Sequence, residues 1–285
     1  MISSDEHQRD MQLWSAGIGI ACLLVINSTQ AGPPFVTDDP EPPPPGGWEI
    51  NVPFILERTP GNTEMDAPLF DLNYGLPDIQ LKLEFPIEIA HEDDNGTAAG
   101  LGDMLLGVKW RFFNNEKSQL QIGMYPQLLL PTGDHSHGLG EGRAAFVLPL
   151  VAQKSWDKWT LYGNVGFWWR TAAETRNYVY AGAVLEREIN ERLELGVEFF
   201  GNSPKERGAN SDFAFNIGGT WKLSRHLNLL FAGDATSSAT HTRWVISGSR
   251  FLRSEILARG TDQNLNAAPT LSVISLLGCV RRPSS

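Results

Sequence analysis

Ile79-Gln80-Leu81-Lys82-Leu83-Glu84-Phe85-Pro86-Ile87-Glu88-Ile89 puts an apolar side chain at every odd position and Gln, Lys, Glu, Pro and Glu at the even ones. Period two is the strand period, because successive side chains of an extended chain point to opposite faces. Eleven residues of it is long, since strands of soluble domains average about five or six while a tilted strand needs about 9 to 11 to cross a bilayer. One face of such a strand suits hydrocarbon and the other suits water.

The pattern recurs along the chain. Met104, Leu106, Val108, Trp110 and Phe112 alternate with Asp103, Gly107, Lys109 and Arg111, and Leu193, Leu195, Val197 and Phe199 alternate with Glu194, Gly196 and Glu198. Phe213, Phe215, Ile217 and Trp221 stand against Asn216, Gly218, Thr220 and Lys222. Strands are expected near 48–58, 65–74, 79–90, 103–113, 119–131, 143–154, 159–170, 177–189, 192–200, 212–223 and 226–233, with a twelfth at His241 to Phe251. This is an all-β pattern, that of a transmembrane antiparallel up-and-down barrel of about 12 strands spanning residues 48–251.

The connections support the same fold. Short turns fall at 75–78, 114–118, 155–158, 190–191 and 224–225, and longer links at 59–64, 91–102, 132–142, 171–176, 201–211 and 234–240. Outer-membrane barrels have short periplasmic turns and longer external loops, which starts the first strand on the periplasmic side. Trp48, Tyr74, Trp110, Trp156, Trp159 and Trp221 fall at the short-turn ends. Phe167, Trp168, Trp169, Tyr178, Tyr180, Phe199, Phe200, Phe213 and Phe215 fall at the long-loop ends, as interfacial girdles would. The competing arrangement is a sandwich or lipocalin-like barrel with its apolar face inside.

Composition narrows the functional classes. The 285 residues carry Lys+Arg 23 against Asp+Glu 33, a net charge of −10, which disfavours nucleic acid as a partner. Mean hydropathy is −0.21, and only the stretch around 11–26 approaches the 18 apolar residues of a spanning helix. Leu13 to Ile26, followed by Thr29-Gln30-Ala31, reads as a signal peptide covering residues 1–31. Its removal takes Cys22 with it and leaves Cys279 alone, so no intramolecular disulfide is expected. Residues 32–47, GPPFVTDDPEPPPPGG, contain seven prolines and read as an extended polyproline-type lead-in.

With the apolar face toward lipid, the lumen candidates on the first strands are Gln80, Lys82, Glu84, Glu88, Lys109, Arg111, Gln119, Gln121 and Gln127. Further along they are Gln153, Asn164, Arg170, Glu194, Glu198, Asn216, Lys222 and Asn228. Five cations (Lys82, Lys109, Arg111, Arg170, Lys222) face four carboxylates (Glu84, Glu88, Glu194, Glu198), a nearly balanced set with no strong ion preference. Asp134-His135-Ser136-His137 with Glu141 has metal-ligand residue types, and His91-Glu92-Asp93-Asp94-Asn95-Gly96 offers oxygens for Ca²⁺, although each also reads as a solvated loop. No nucleophile elbow, phosphate loop or dinucleotide fingerprint appears, so no catalytic residue, metal or cofactor is assigned.

Several strings resemble those of the outer-membrane transporter family named for the meta pathway of phenol degradation. They are Phe35-Val36-Thr37-Asp38-Asp39-Pro40-Glu41-Pro42, Asn73-Tyr74-Gly75, Pro77-Asp78-Ile79-Gln80-Leu81 and Gly107-Val108-Lys109-Trp110-Arg111-Phe112. Leu130-Pro131-Thr132-Gly133-Asp134, Gly138-Leu139-Gly140, Leu148-Pro149 and Gln153-Lys154-Ser155 add to them. The resemblance implies a bacterial outer-membrane β-barrel that passes small compounds, with outer-membrane lipid, a small solute and the barrel-assembly machinery as partners. It covers about 34–233; residues 252–285, ending Arg281-Arg282-Pro283-Ser284-Ser285, are atypical of it. An outer-membrane lipid-modifying enzyme and a plugged structural or adhesive barrel are the alternatives.

Overall fold

The computed structural model describes residues 34–253 apart from 60, 94–95, 173–174, 225–226 and 237–241. The expected signal peptide at 1–31 lies outside these residues, as does the tail beyond 253. Fourteen extended segments form one antiparallel sheet, and two strands are each interrupted once, which makes twelve. They are β1 (Gly47–Thr59), β2 (Asn62–Leu76), β3 (Ile79–Glu92), β4 (Gly96–Leu101 with Met104–Asn115), β5 (Leu120–Met124 with Gln127–Leu130) and β6 (Ala145–Trp156). The remainder are β7 (Trp159–Arg170), β8 (Tyr178–Asn190), β9 (Leu193–Asn202), β10 (Asp212–Ser224), β11 (Leu227–Thr236) and β12 (Thr242–Arg253). Each pairs with its sequence neighbours. β1 pairs with β12 from Gly47↔Arg253 to Arg58↔Thr242, so the sheet closes and has no free edge.

The expected strands are all present, with informative differences at their ends. The link expected at 91–102 is largely sheet: β3 continues to Glu92 and pairs with Gly96–Leu101 through Ile87↔Leu101 to Glu92↔Gly96. Likewise β1 and β2 continue to Thr59↔Asn62, leaving a two-residue tip. Above the apolar layer both faces of a hairpin meet water, so alternation fades from the sequence while backbone pairing persists. The expected strand 119–131 breaks at Tyr125-Pro126, where Pro126 has no N–H for the ladder. There Tyr125 N–H donates to Pro149 O at 3.0 Å and Val108 N–H to Pro126 O at 3.0 Å.

Burial is inverted relative to a soluble protein. Lys109, Glu198 and Asn51 are fully buried, whereas Phe213, Phe199 and Ile217 are 64%, 62% and 58% exposed. A soluble sandwich or lipocalin-like barrel would bury the apolar side chains, so this inversion selects the membrane barrel. Trp48 packs on Tyr74 at 4.9 Å and Trp110 on Phe112 at 5.7 Å near the short turns; Phe167 and Phe146 lie 4.6 and 5.4 Å from Trp169 near the long loops. Trp168, Tyr178, Tyr180 and Phe200 leave the expected girdle. They hold the inner parity of their strands, which changes what the lumen offers.

Candidate functional site: the lumen

Alternation turns the even positions of β3 and the odd positions of β1 and β2 inward, and their polar groups form a continuous ladder. Asn51 Nδ2 donates to Glu49 Oε1 at 3.1 Å and Asp71 Oδ2 at 3.0 Å, and Asn73 Nδ2 donates to Asp71 Oδ1 at 3.0 Å. Gln80 Nε2 reaches Asn73 Oδ1 at 2.6 Å and the Tyr125 hydroxyl at 3.1 Å. Lys82 joins Asp71 at 3.3 Å and Glu84 at 2.6 Å. Every carboxylate here meets a donor, which is what a buried polar layer requires.

The proline-rich lead-in is not a tether below the barrel; it enters the lumen. Gly46 N–H donates to Gly75 O at 2.8 Å at the short-turn end, and from there the chain runs inward until Phe35 packs with Tyr162 and Val184. Glu198, fully buried on β9, accepts from Thr37 N–H at 2.6 Å, Val36 N–H at 3.2 Å and Asn216 Nδ2 at 2.8 Å. Lys109 on β4 pairs with Asp38 at 3.3 Å, and Gln121 and Gln153 each reach Glu41 Oε2 at 3.5 Å. A segment rich in proline has few N–H groups to satisfy away from water, and those of Val36 and Thr37 are taken by one carboxylate. Gly182 makes room, since a Cβ there would collide with the Thr37 hydroxyl. Burial pushes the Asp39 carboxyl up to about 7, against the pull of nearby Lys109.

At the long-loop end the lumen widens into a vestibule of about 740 Å³. Glu57, Glu64, Asp66, Glu88, Glu92, Glu141 and Glu206 line it, and its one guanidinium, Arg170, is bound to Glu141 at 2.7 Å. The loop between β5 and β6 is folded toward it. Asp103 accepts from Gly133 N–H at 2.9 Å and Glu141 N–H at 2.6 Å, and Leu139 is buried. His135 approaches Gly140 O at 3.2 Å, whereas His137 pairs with Asp134 at 2.7 Å, so the two imidazoles serve different partners. Hydrogen bonds from Ser136 and then His137 hold the Asp134 carboxyl below the usual range. Ser136 Oγ lies 3.2 Å from His137 Nδ1, the nitrogen that Asp134 also occupies. A catalytic triad needs the carboxylate and the nucleophile on opposite ring nitrogens, so this trio is a turn.

On β7 and β8 the inner face carries four rings. Trp168 stacks on Tyr178 at 6.1 Å, Tyr180 stands one inward position further along β8, and Tyr162 lies deeper, 3.4 Å from Glu186 Oε1. The upper lumen therefore has rings on β7 and β8, and the polar ladder of β1 to β3 lies on other strands.

Of the lumen candidates, Gln80, Lys82, Glu84, Lys109, Gln121, Gln153, Asn164, Glu198, Asn216 and Asn228 are buried or half-buried on inner faces. Gln127 packs beside Gly107 and Tyr125, Glu194 and Lys222 hold inner parity on β9 and β10, and Glu88 and Arg170 line the vestibule. Arg111 sits at the short-turn mouth on Asp78 at 2.8 Å and Gln121 at 3.0 Å. Gln119 is outside the lumen, exposed in the turn after Asn115 with φ 51°. The balanced charge reading needs correction: Glu49, Asp71 and Glu186 on inner faces and Asp38, Asp39 and Glu41 from the lead-in make the interior acidic. The first two were readable, since Glu49 and Asn51 alternate with Ile50 and Val52. Glu186 was masked by Arg187, and nothing local to the lead-in announces that it folds inward.

The family described as "Putative MetA-pathway of phenol degradation" matches residues 46–253. Among solved structures, the COG4313 outer membrane channel from Pseudomonas putida F1 superposes with a TM-score of 0.66 at 14% identity, over 78% of this chain and 100% of that one. The NanC porin follows at 0.53 and 8% identity, over 70% and 98%, and a KdgM porin in complex with oligogalacturonate at 0.50 and 9%, over 71% and 98%. No curated protein sequence matches the chain.

Proposed function

We propose, on the premise that the chain belongs to the MetA-pathway phenol-degradation family, that it is a non-enzymatic outer-membrane channel for small aromatic solutes that are neutral or cationic. The observation that carries this reading is the division of the inner surface. Trp168, Tyr178 and Tyr180 present rings along one side, and the mouth beside them is walled by carboxylates. Rings stack on rings and attract cations, while a field of carboxylates in a confined mouth repels anions. The fold likeness to channels and porins supports a pore; the choice of solute rests on the rings and the charge.

The test is solute entry into liposomes carrying the refolded protein. Neutral aromatic alcohols should enter faster than aliphatic polyols of equal size and faster than aromatic carboxylates. Trp168→Ala with Tyr178→Ala should remove the first advantage, and added salt should reduce the second. Equal entry of all three classes would sink the assignment.

A further inference from the structure

The outer wall of β8 to β10 carries a recess that a pore does not require. Ala181 and Ala183 on β8 and Gly201 on β9 face outward side by side, with Ala181↔Gly201 and Gly201↔Phe213 in register. They floor a hollow of about 600 Å³ walled by Val179, Phe199 and Phe213, the last two being the most exposed large apolar side chains of the described wall. Gly201 is needed there: a Cβ would meet the Phe213 ring at 2.7 Å and Asp212 O at 2.8 Å. On the inner side of the same strands Phe200 and Thr37 pack against Gly182.

A hollow of this kind facing hydrocarbon takes an acyl chain, and its upper end says which lipid. Toward the long loops the lining becomes polar at Asn202, Ser203 and Ser211. The two loops above it are joined by Arg176 N–H to Lys205 O at 2.9 Å, and they expose Arg176 and Arg207, while the Lys205 ammonium lies 5.6 Å from the Tyr178 ring. Of the two acids in these loops, Glu174 and Glu206, the latter lines the vestibule. This is a local reversal of the acidic mouth, and it complements a phosphate.

We propose that the recess holds one acyl chain of a phosphate-bearing glycolipid of the outer leaflet, its headgroup phosphate bound by Arg176 and Arg207. The proposal rests on the reading of the long-loop end as external. The test is native mass spectrometry of the refolded full chain in detergent, titrated with hexa-acylated lipid A and separately with dioleoylphosphatidylglycerol. One lipid A adduct should survive collisional activation that strips the phosphatidylglycerol. Arg176→Gln and Arg207→Gln should each lower that adduct about fivefold, the effect expected of one cation near an anionic lipid surface. Ala181→Trp, which fills the hollow, should abolish it. Equal lipid A retention by the wild type and the two Arg variants, or phosphatidylglycerol held as firmly as lipid A, would overturn the site. The Arg variants lie on exposed loops and decide the matter even where Ala181→Trp fails to fold. Bilayer conductance of the same samples should be unchanged by the Arg substitutions; a wild type that does not conduct would count against the channel and leave the adduct result standing.

Discussion

Between the short turns and Glu198 the lumen is occupied by the chain's own residues 34–46, whereas beyond Arg170 it opens into a vestibule of about 740 Å³ bounded by carboxylates. The same twelve-stranded wall surrounds both regions. In the lower one, control is by occupancy: a tethered segment lies in the path, and because it is tethered, a few contacts such as Glu198 with Thr37 and Lys109 with Asp38 suffice to keep it seated. In the upper one, selection is by surface chemistry, the field of the carboxylates together with the rings of Trp168, Tyr178 and Tyr180. A barrel wall of period two thus leaves two separate controls to residues that the period does not describe.

Removing the lower control should have the largest effect. Deletion of residues 34–45 takes no hydrogen bond from the barrel ladder, so the variant should fold with normal heat-modifiable mobility and conduct several-fold more than the wild type in planar bilayers. Unchanged conductance would show that the segment does not limit the path, and the contrast between the two regions would lose its meaning.

How much of this was legible follows from what alternation encodes. Ile79 to Ile89 announced the outer and inner faces, and Gln80, Lys82 and Glu84 lie on the inner face as their parity requires. Trp168 and Tyr178 read as girdle residues because an aromatic residue near an interface suits either face, and only parity carried through Asn164 and Gly166 places them inside. The inward course of Phe35 to Gly46 was illegible because its partners, Glu198, Lys109 and Gln153, lie far along the chain and look like ordinary lumen residues. The vestibule depends on a loop held by Asp103, a residue whose sequence context marks only the start of a strand.

A second test separates occupancy from charge by acting on the wall. Gly182→Leu places a side chain where the Thr37 hydroxyl now lies, yet touches no charged group. It should reproduce most of the conductance gain of the deletion while leaving ion preference alone. A third acts on the other region: Glu64→Gln with Glu88→Gln should reduce the cation preference read from reversal potentials by roughly twofold at low salt, the scale of about 0.5 kcal/mol expected of solvated charges, and should leave the size of the conductance nearly unchanged. If the vestibule pair altered conductance and Gly182→Leu altered selectivity, the two controls would have to be exchanged.

A pH dependence of the lower region is also expected, and its sign is fixed by Asp39. Burial raises this carboxyl from 3.8 to about 7; Lys109 and the Glu41 N–H pull it down, and Asp38 and Glu41 push it up. A carboxyl whose pKa is higher when seated than when free favours the seated state in its protonated form. That contribution is full below the free value of 3.8, declines by about 1.4 kcal/mol for each pH unit above it, and is gone above about 7. Residues 34–46 should therefore be held more firmly at pH 5 than at pH 8, and conductance should rise across that interval with a midpoint below 7. Asp39→Asn removes the titrating group without changing its size and should flatten the rise, whereas Asp38→Asn should weaken the Lys109 contact and raise conductance at every pH. A rise that persists in Asp39→Asn would assign the titration to another group of the lumen, and a fall with pH would mean that the charged carboxylate, through Lys109, is what seats the segment.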